Sequence, residues 1–505
     1  MRSQIDLTGY WRGRLSLNRT LGVRVPPVIE RDFFVPLPWN KQVEDLRWPG
    51  DRTVLANDVR PLQNQNFRAV HRAFNEGVIE YRRTVEVPPT GPGTWWLVFE
   101  GSNYRTVARV NGRRVGTHDG GHLAFEFDIT RALRPGANEL AVTVDNLRRE
   151  TACPQAQFNW MDYGGLYRPV RLEHRPDPFI THVGIMTRRA GRTWIAAIEI
   201  ELNRGCAAEL VLRVISGRCR REVTLGGSAL FRRAQVRCEG PVVWEPGRGG
   251  LSLCEVDLRR PGGELLETRR EPFGFRTVEL RGRALQINGR PIRLLGAALH
   301  EYHPVFGNSV PAWQSDLDVA LMRHAGLNAV RAAHYPHAQS FYSTCDRAGM
   351  LAIAEIPCWQ FNERQFRRGA VRELCSSMAF SLTRQLGNHP SIIGWIIQNE
   401  SKTRAPGAAA FFKAVSGAFK QADPARPIIT AESSRVPLEH LGIVDQRGEP
   451  PLAMPSTVGV ADILGINEYS GWYHGDAGDL FRVLDAYRRR LPRKPLMVTE
   501  FGAEG

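Results

Sequence analysis

The chain has 505 residues, 42% of them hydrophobic and 24% charged, with a formal net charge of +15. That length exceeds what one hydrophobic core organises and predicts roughly two to four domains. The positive surplus is almost all arginine, since Lys41, Lys402, Lys413, Lys420 and Lys494 are the only lysines, and its scatter without a nucleic-acid motif argues for a solvated surface rather than a nucleic-acid partner.

Eight cysteines (153, 206, 219, 238, 254, 345, 358 and 375) show no CxxC or zinc-type spacing, so they read as free thiols in a reducing compartment. The N-terminus lacks an apolar signal core, and no run approaches membrane-spanning length. The expected location is cytoplasmic, with no membrane partner.

From Asp6 to about Arg175 the chain alternates apolar and polar residues in short runs, such as Thr84–Val87, Thr94–Glu100, Thr106–Val110 and Glu139–Val144. Val110-Asn111-Gly112-Arg113 places Asn-Gly between two such runs, a strong short-range hairpin signal. Many short strands with Pro and Gly between them predict a jelly-roll β-sandwich over 1–177. Pro176-Asp-Pro178 marks its end. Alternation continues through Ala197–Leu202, Glu209–Val214 and Cys254–Leu258, predicting an immunoglobulin-like sandwich over 178–275.

After Phe273-Gly-Phe-Arg276 the pattern changes. Ile287-Asn288-Gly289-Arg290 makes another hairpin, and then helices alternate with buried strands. Ile292–Gly296 is the expected first strand. Leu317, Ala320, Leu321 and His324 share one face of a helix that Gly326 stops. Strands follow at Leu327–Arg331 and Met350–Glu355, the latter after a helix through Phe341 and Cys345. A helix through Leu374, Met378 and Leu382 precedes Ser391-Ile-Ile-Gly-Trp-Ile-Ile-Gln-Asn399-Glu400, an apolar run of the kind buried on both faces of a parallel sheet. Pro427–Thr430, Asp462–Asn467 and Leu496–Glu500 complete seven strands. This alternation predicts a (β/α)8 TIM barrel over 276–505, truncated after strand seven. An eighth strand, paired to the first and seventh, would lie beyond Gly505.

Two of these strands end in a carboxylate, Glu400 and Glu500. The C-terminal end of a barrel strand is where such folds keep their chemistry, so the two predict a paired-acid site.

At this point the chain resembles glycoside hydrolase family 2, the β-glucuronidase/β-galactosidase family, over essentially its whole length. The phrases that carry the resemblance are Val35–Asn40, Tyr163-Gly-Gly-Leu-Tyr-Arg168, Phe273–Arg276, His300-Glu-Tyr-His-Pro304, Asn328–Pro336, Asn388–Glu400 and Val498–Gly502. Each alone is weak; in this order they are specific.

The resemblance, closest to β-glucuronidase-like members, implies a retaining exo-β-glycosidase that acts on a carbohydrate substrate, a β-glycoside such as a uronide, with Glu400 as acid/base and Glu500 as nucleophile. Retaining pairs lie about 5–5.5 Å apart. By the same resemblance Asn399 meets the sugar 2-hydroxyl, while Arg331 and Tyr469 support the nucleophile. His300 and His334 line the pocket or pack as ordinary semi-buried histidines. Asn467 and Tyr473 belong to the same set, and Trp359 and Trp472 stack on sugar or pack the rim. Asn159 stands where the family usually carries Asp, which keeps hydrogen bonding but loses a charge.

Glu355-Ile-Pro-Cys-Trp lacks the Glu-Thr-His that supplies magnesium ligands in metal-dependent β-galactosidases, so neither an active-site metal nor a cofactor is expected. Glu468–Asp476 leans toward β-glucuronidases and Asn328–Pro336 toward β-galactosidases. The uronate-reading Asn-x-Lys would lie beyond Gly505. A β-galactosidase, and a non-catalytic carbohydrate-binding protein with an unclosed barrel, stay open as alternatives, as does assembly into a homo-oligomer.

Overall fold

The computed structural model describes residues 2–18, 28–43, 76–89, 91–158, 160–434, 454–472 and 475–502. Its first part is a β-sandwich of a four-stranded and a six-stranded sheet. Period-two alternation forms it: in Gly9–Leu17, Trp11, Gly13, Leu15 and Leu17 turn inward, as the pleat requires. Trp11, Phe33, Tyr81, Leu97, Phe99 and Val142 fill the space between the sheets. Asn111 and Gly112 take φ of 50° and 77°, the left-handed pair that a two-residue hairpin needs.

A second sandwich packs Ile180–Ala190, Thr193–Leu202 and Phe231–Glu239 against a four-stranded antiparallel sheet. Ile198, Ile200, Leu212, Val214 and Val256 form its core. Arg276, at the end of this part, is buried and donates to the carbonyls of Pro390 and Ile392, tying the sandwich to the strand that leads to Glu400.

The rest is a seven-stranded parallel sheet in sequential order: β1 (Gly296–Leu299), β2 (Ala329–Ala332), β3 (Leu351–Glu355), β4 (Ile392–Asn399), β5 (Ile428–Ser433), β6 (Leu464–Asn467) and β7 (Leu496–Glu500). The sheet curls until β1 and β7 approach each other; among the described residues no ladder joins them. Helices α1 (Ala312–His324), α2 (Gln339–Ala348), α3 (Gly369–Leu386), α4 (Ala408–Ala422) and α5 (Asp479–Arg490) accompany the strands. Every residue of β4 is buried, as its unbroken apolar run requires.

Val278, Leu285 and Ile287, from a small meander, cluster with Trp244 and with Ala329, Ile353, Ile396 and Ile429 of the barrel strands. The core is therefore packed at that end, and chemistry is left to the opposite, C-terminal ends of the strands.

Two details differ from the sequence reading. The first barrel strand begins at Gly296 rather than Ile292. Arg290 and Pro291 pair in the meander, and the Ile292 N–H donates to the Leu285 carbonyl at 3.0 Å, so this stretch is already committed. In α1, the face of Leu317, Ala320, Leu321 and His324 is exposed, and Ser315 and Val319 are its buried residues. Two stripes at helical spacing coexist there, and the less apolar one meets the core.

Candidate active site at the barrel mouth

Because the strands are parallel, their C-terminal residues converge on one rim. Asn467, the last residue of β6, sits in register with Glu500, the last of β7, and Arg331 lies in β2. Arg331 is nearly fully buried and is the hub of the site. Its guanidinium pairs with Glu355 at 2.8 Å and with Glu500, and donates to Asn399 Oδ1 at 2.8 Å. Glu500 completes its set by accepting from the Tyr469 hydroxyl at 2.7 Å. Burial pushes the Glu500 carboxyl up, but the charges of Arg331 and His334 and the Tyr469 hydrogen bond outweigh it and hold the group below its ordinary range. A charge-assisted cradle of this kind keeps a carboxylate ionised.

Glu400 follows β4 and sits in a different environment. Asn467 Nδ2 donates to one of its oxygens and Gln360 Nε2 to the other, both at 3.3 Å. Its φ is +49°, as is that of Gln360, so both backbones occupy the left-handed region that side chains usually avoid. The two acids thus reach the same network differently, Glu500 through a cation and Glu400 through amides. Asn399 Oδ1 accepts from both Arg331 and Asn467, at 2.8 and 3.0 Å, which orients the amide.

His334 lies 3.7 Å from Glu500 and 3.5 Å from Glu355. His300 packs edge-on against it with ring centroids 5.2 Å apart, and its Nδ1 is 3.3 Å from the Tyr335 hydroxyl. Burial, helped by neighbouring His334, His337 and Arg331, lowers the His300 pKa to about 3. That lowering favours the neutral imidazole at its contact with the Tyr335 hydroxyl.

Trp359 is buried and packs at right angles on Trp160, centroids 5.7 Å apart. Trp472 stands about half exposed beside Tyr469. Asn159 and Tyr473 lie outside the described residues.

Three contributions were not picked out from the sequence. Gln360 touches the acid Glu400. Glu355 is fully buried against Arg331. Trp160, from the first sandwich, packs within 6.2 Å of the His300 and His334 rings, and its place beside Asn159 was the one available signal. The sandwich is held there by Arg168, whose guanidinium pairs with buried Glu301 at 2.6 Å and donates to the Pro336 carbonyl at 3.0 Å. Those pairs account for the Tyr163–Arg168 and His300–Pro304 phrases. All eight cysteines are free thiols, as expected, and Cys153, Cys358 and Cys375, scattered in sequence, meet in space.

A sandwich-plus-barrel enzyme with two carboxylates at strand ends, one held by an arginine and a tyrosine, belongs to the paired-acid class. Residues 278–505 match the family model of the glycosyl hydrolases family 2 TIM barrel domain, and residues 31–176 that of its sugar binding domain. The chain belongs to glycosyl hydrolases family 2.

Among its relatives, the β-glucuronidase of Paenibacillus borealis is 26% identical across 88% of this chain and 79% of that protein. The β-glucuronidase of Canis lupus familiaris is 26% identical, across 100% and 78%. A solved structure of Bifidobacterium dentium β-glucuronidase complexed with coumarin-3-O-glucuronide superposes with a TM-score of 0.82 at 24% identity, over 100% of this chain and 84% of that one.

Proposed function

We propose that the protein is a retaining exo-β-glycosidase of β-glucuronidase type. The observation that carries this reading is the unequal setting of its acids: Glu500 bound to Arg331 and Tyr469, Glu400 to the amides of Asn467 and Gln360. Glu500, kept ionised, attacks the anomeric carbon while Glu400 gives its proton to the departing oxygen. The glycosyl ester on Glu500 is then cleaved by water, with Glu400 now taking the proton. Two inversions leave the β-configuration unchanged. Asn399, its oxygen already occupied by two donors, offers its amide N–H groups to a sugar hydroxyl, and neutral His300 with His334 borders the same space.

The β-glucuronidase relatives support a terminal β-linked uronic acid as the sugar. Division of the chain at about 177 and 275, into a jelly-roll, an immunoglobulin-like sandwich and the barrel, belongs to this reading, as does action in the cytoplasm, which eight free cysteines favour.

The test is turnover of aryl β-glucuronide and aryl β-galactoside by the 505-residue chain, with the anomer of the first-formed sugar read by NMR. Release of β-glucuronic acid is expected. An α-anomer first would refute retention, preference for the galactoside would refute the sugar, and a chain that binds glycosides without cleaving them would be a binding protein.

A further inference from the structure

Cys153 comes from the loop after the last long strand of the six-stranded sheet, Cys358 from the loop after β3, and Cys375 from α3. All three are fully buried. Their sulfurs lie within 4.8 Å of one another, and those of Cys153 and Cys358 are 3.8 Å apart. Thiolates bound to one zinc at about 2.3 Å tetrahedrally stand about 3.8 Å apart. The cluster therefore has nearly the sulfur spacing of a metal–thiolate centre. Among the described residues no fourth His, Cys, Asp or Glu joins it, which favours soft ions that accept three thiolates.

We propose that Cys153, Cys358 and Cys375 form a three-thiolate site for one soft d10 cation, copper(I) or zinc(II), behind the catalytic loop. Binding is a proton–metal exchange: the cation forms three bonds to sulfur, the thiol protons pass to solvent, and no electron moves. The Tyr104 hydroxyl, accepting the Cys153 N–H at 3.0 Å, completes the surroundings.

The position gives the ion a consequence. The Cys358 carbonyl accepts the Asn399 N–H at 3.0 Å and the Ser401 hydroxyl at 3.3 Å, and Trp359 follows it in the chain. A metal there joins the first sandwich to the barrel at the backbone that carries Asn399.

The experiment uses the whole chain, reduced, stripped of metal and kept anaerobic. Copper(I) and zinc(II) are titrated separately against a chromophoric chelator. One equivalent of at least one ion is expected, with proton release and a raised melting temperature. Cys375→Ser should weaken retention by more than roughly tenfold, while Cys206→Ser, outside the cluster, should not. Ultraviolet sulfur-to-metal charge-transfer absorption on loading the unaltered chain with each ion provides a variant-free readout. Failure to hold either ion, absence of that absorption for an ion that is held, or undiminished binding in folded Cys375→Ser would overturn the site. None of these outcomes depends on glycosidase activity.

Discussion

Gln360 and Glu400 meet side chain to side chain at 3.3 Å, and each reaches the other from a backbone held at φ +49°. The Gln360 N–H also donates to the Asn399 carbonyl at 2.7 Å. Two left-handed residues therefore aim one amide at the acid that must deliver a proton. Conformations of this type in non-glycine residues cost about 1 kcal/mol or more and persist where surrounding contacts enforce them.

Replacing Gln360 by glycine separates these two roles. The chain should hold or gain stability, by about 0.5–1 kcal/mol, because glycine adopts this φ without a Cβ penalty. Turnover of substrates with poor leaving groups should fall several-fold, as Glu400 loses one of its two amide contacts. Melting curves and kcat on matched substrates measure both. Loss of stability together with unchanged kcat would show that the contact is structural only.

For the acids themselves, Glu500→Gln should abolish cleavage of natural and activated glycosides alike, because the attacking group is gone. Glu400→Gln should slow glycosylation by roughly 10²–10⁴-fold on poor leaving groups and far less on activated aryl glycosides. Burst kinetics on the two substrate types distinguish the residues. Equal losses in both mutants on both substrates would refute the assignment.

Tyr469→Phe removes a hydroxyl that donates to Glu500 at 2.7 Å. The Glu500 pKa is held down in the folded protein, so the ionised nucleophile and its stabilising contribution persist above the unfolded carboxyl pKa and are lost as pH falls through the lowered value. Taking away one donor raises that pKa. A hydrogen bond to a charged group is worth about 1.5–3 kcal/mol and one pKa unit is 1.36 kcal/mol. The acid limb of kcat/KM should therefore move up by about one to two pH units. An unmoved limb would mean that Arg331 alone sets the ionisation.

Arg168→Met strips the partner from Glu301, which is buried and also accepts the Ala338 N–H at 2.6 Å. Breaking a buried pair from one side costs about 3–5 kcal/mol, and part of that should return when Glu301→Gln is added. Urea unfolding of the single and double variants measures the coupling. Strictly additive losses would mean that the pair contributes nothing as a pair.

What the sequence disclosed follows from where the information is local. Ser391–Glu400 reads correctly because burial on both faces leaves no polar residue until the strand emerges at its end. The Asn-Gly turns read correctly because few residues accept two successive positive φ values. The first barrel strand is misplaced by four residues because Ile292 has an equally good partner in the meander, a competition between two sheets. In α1, Leu317 and Leu321 outweigh Val319 in hydropathy, yet the neighbouring elements select the other stripe. Trp160 and the Cys153–Cys358 contact depend on pairs far apart in the chain, 205 residues for the cysteines, and no spacing rule reaches that far.

Arg331 faces two carboxylates, Glu355 and Glu500, with one positive charge. His334 stands within 3.7 Å of both carboxylates as well, and with Arg331 it holds the Glu500 carboxyl below its ordinary range. What keeps Glu500 ionised also makes it the better leaving group once it carries the sugar, so the cradle that arms the nucleophile eases its release when water cleaves the ester.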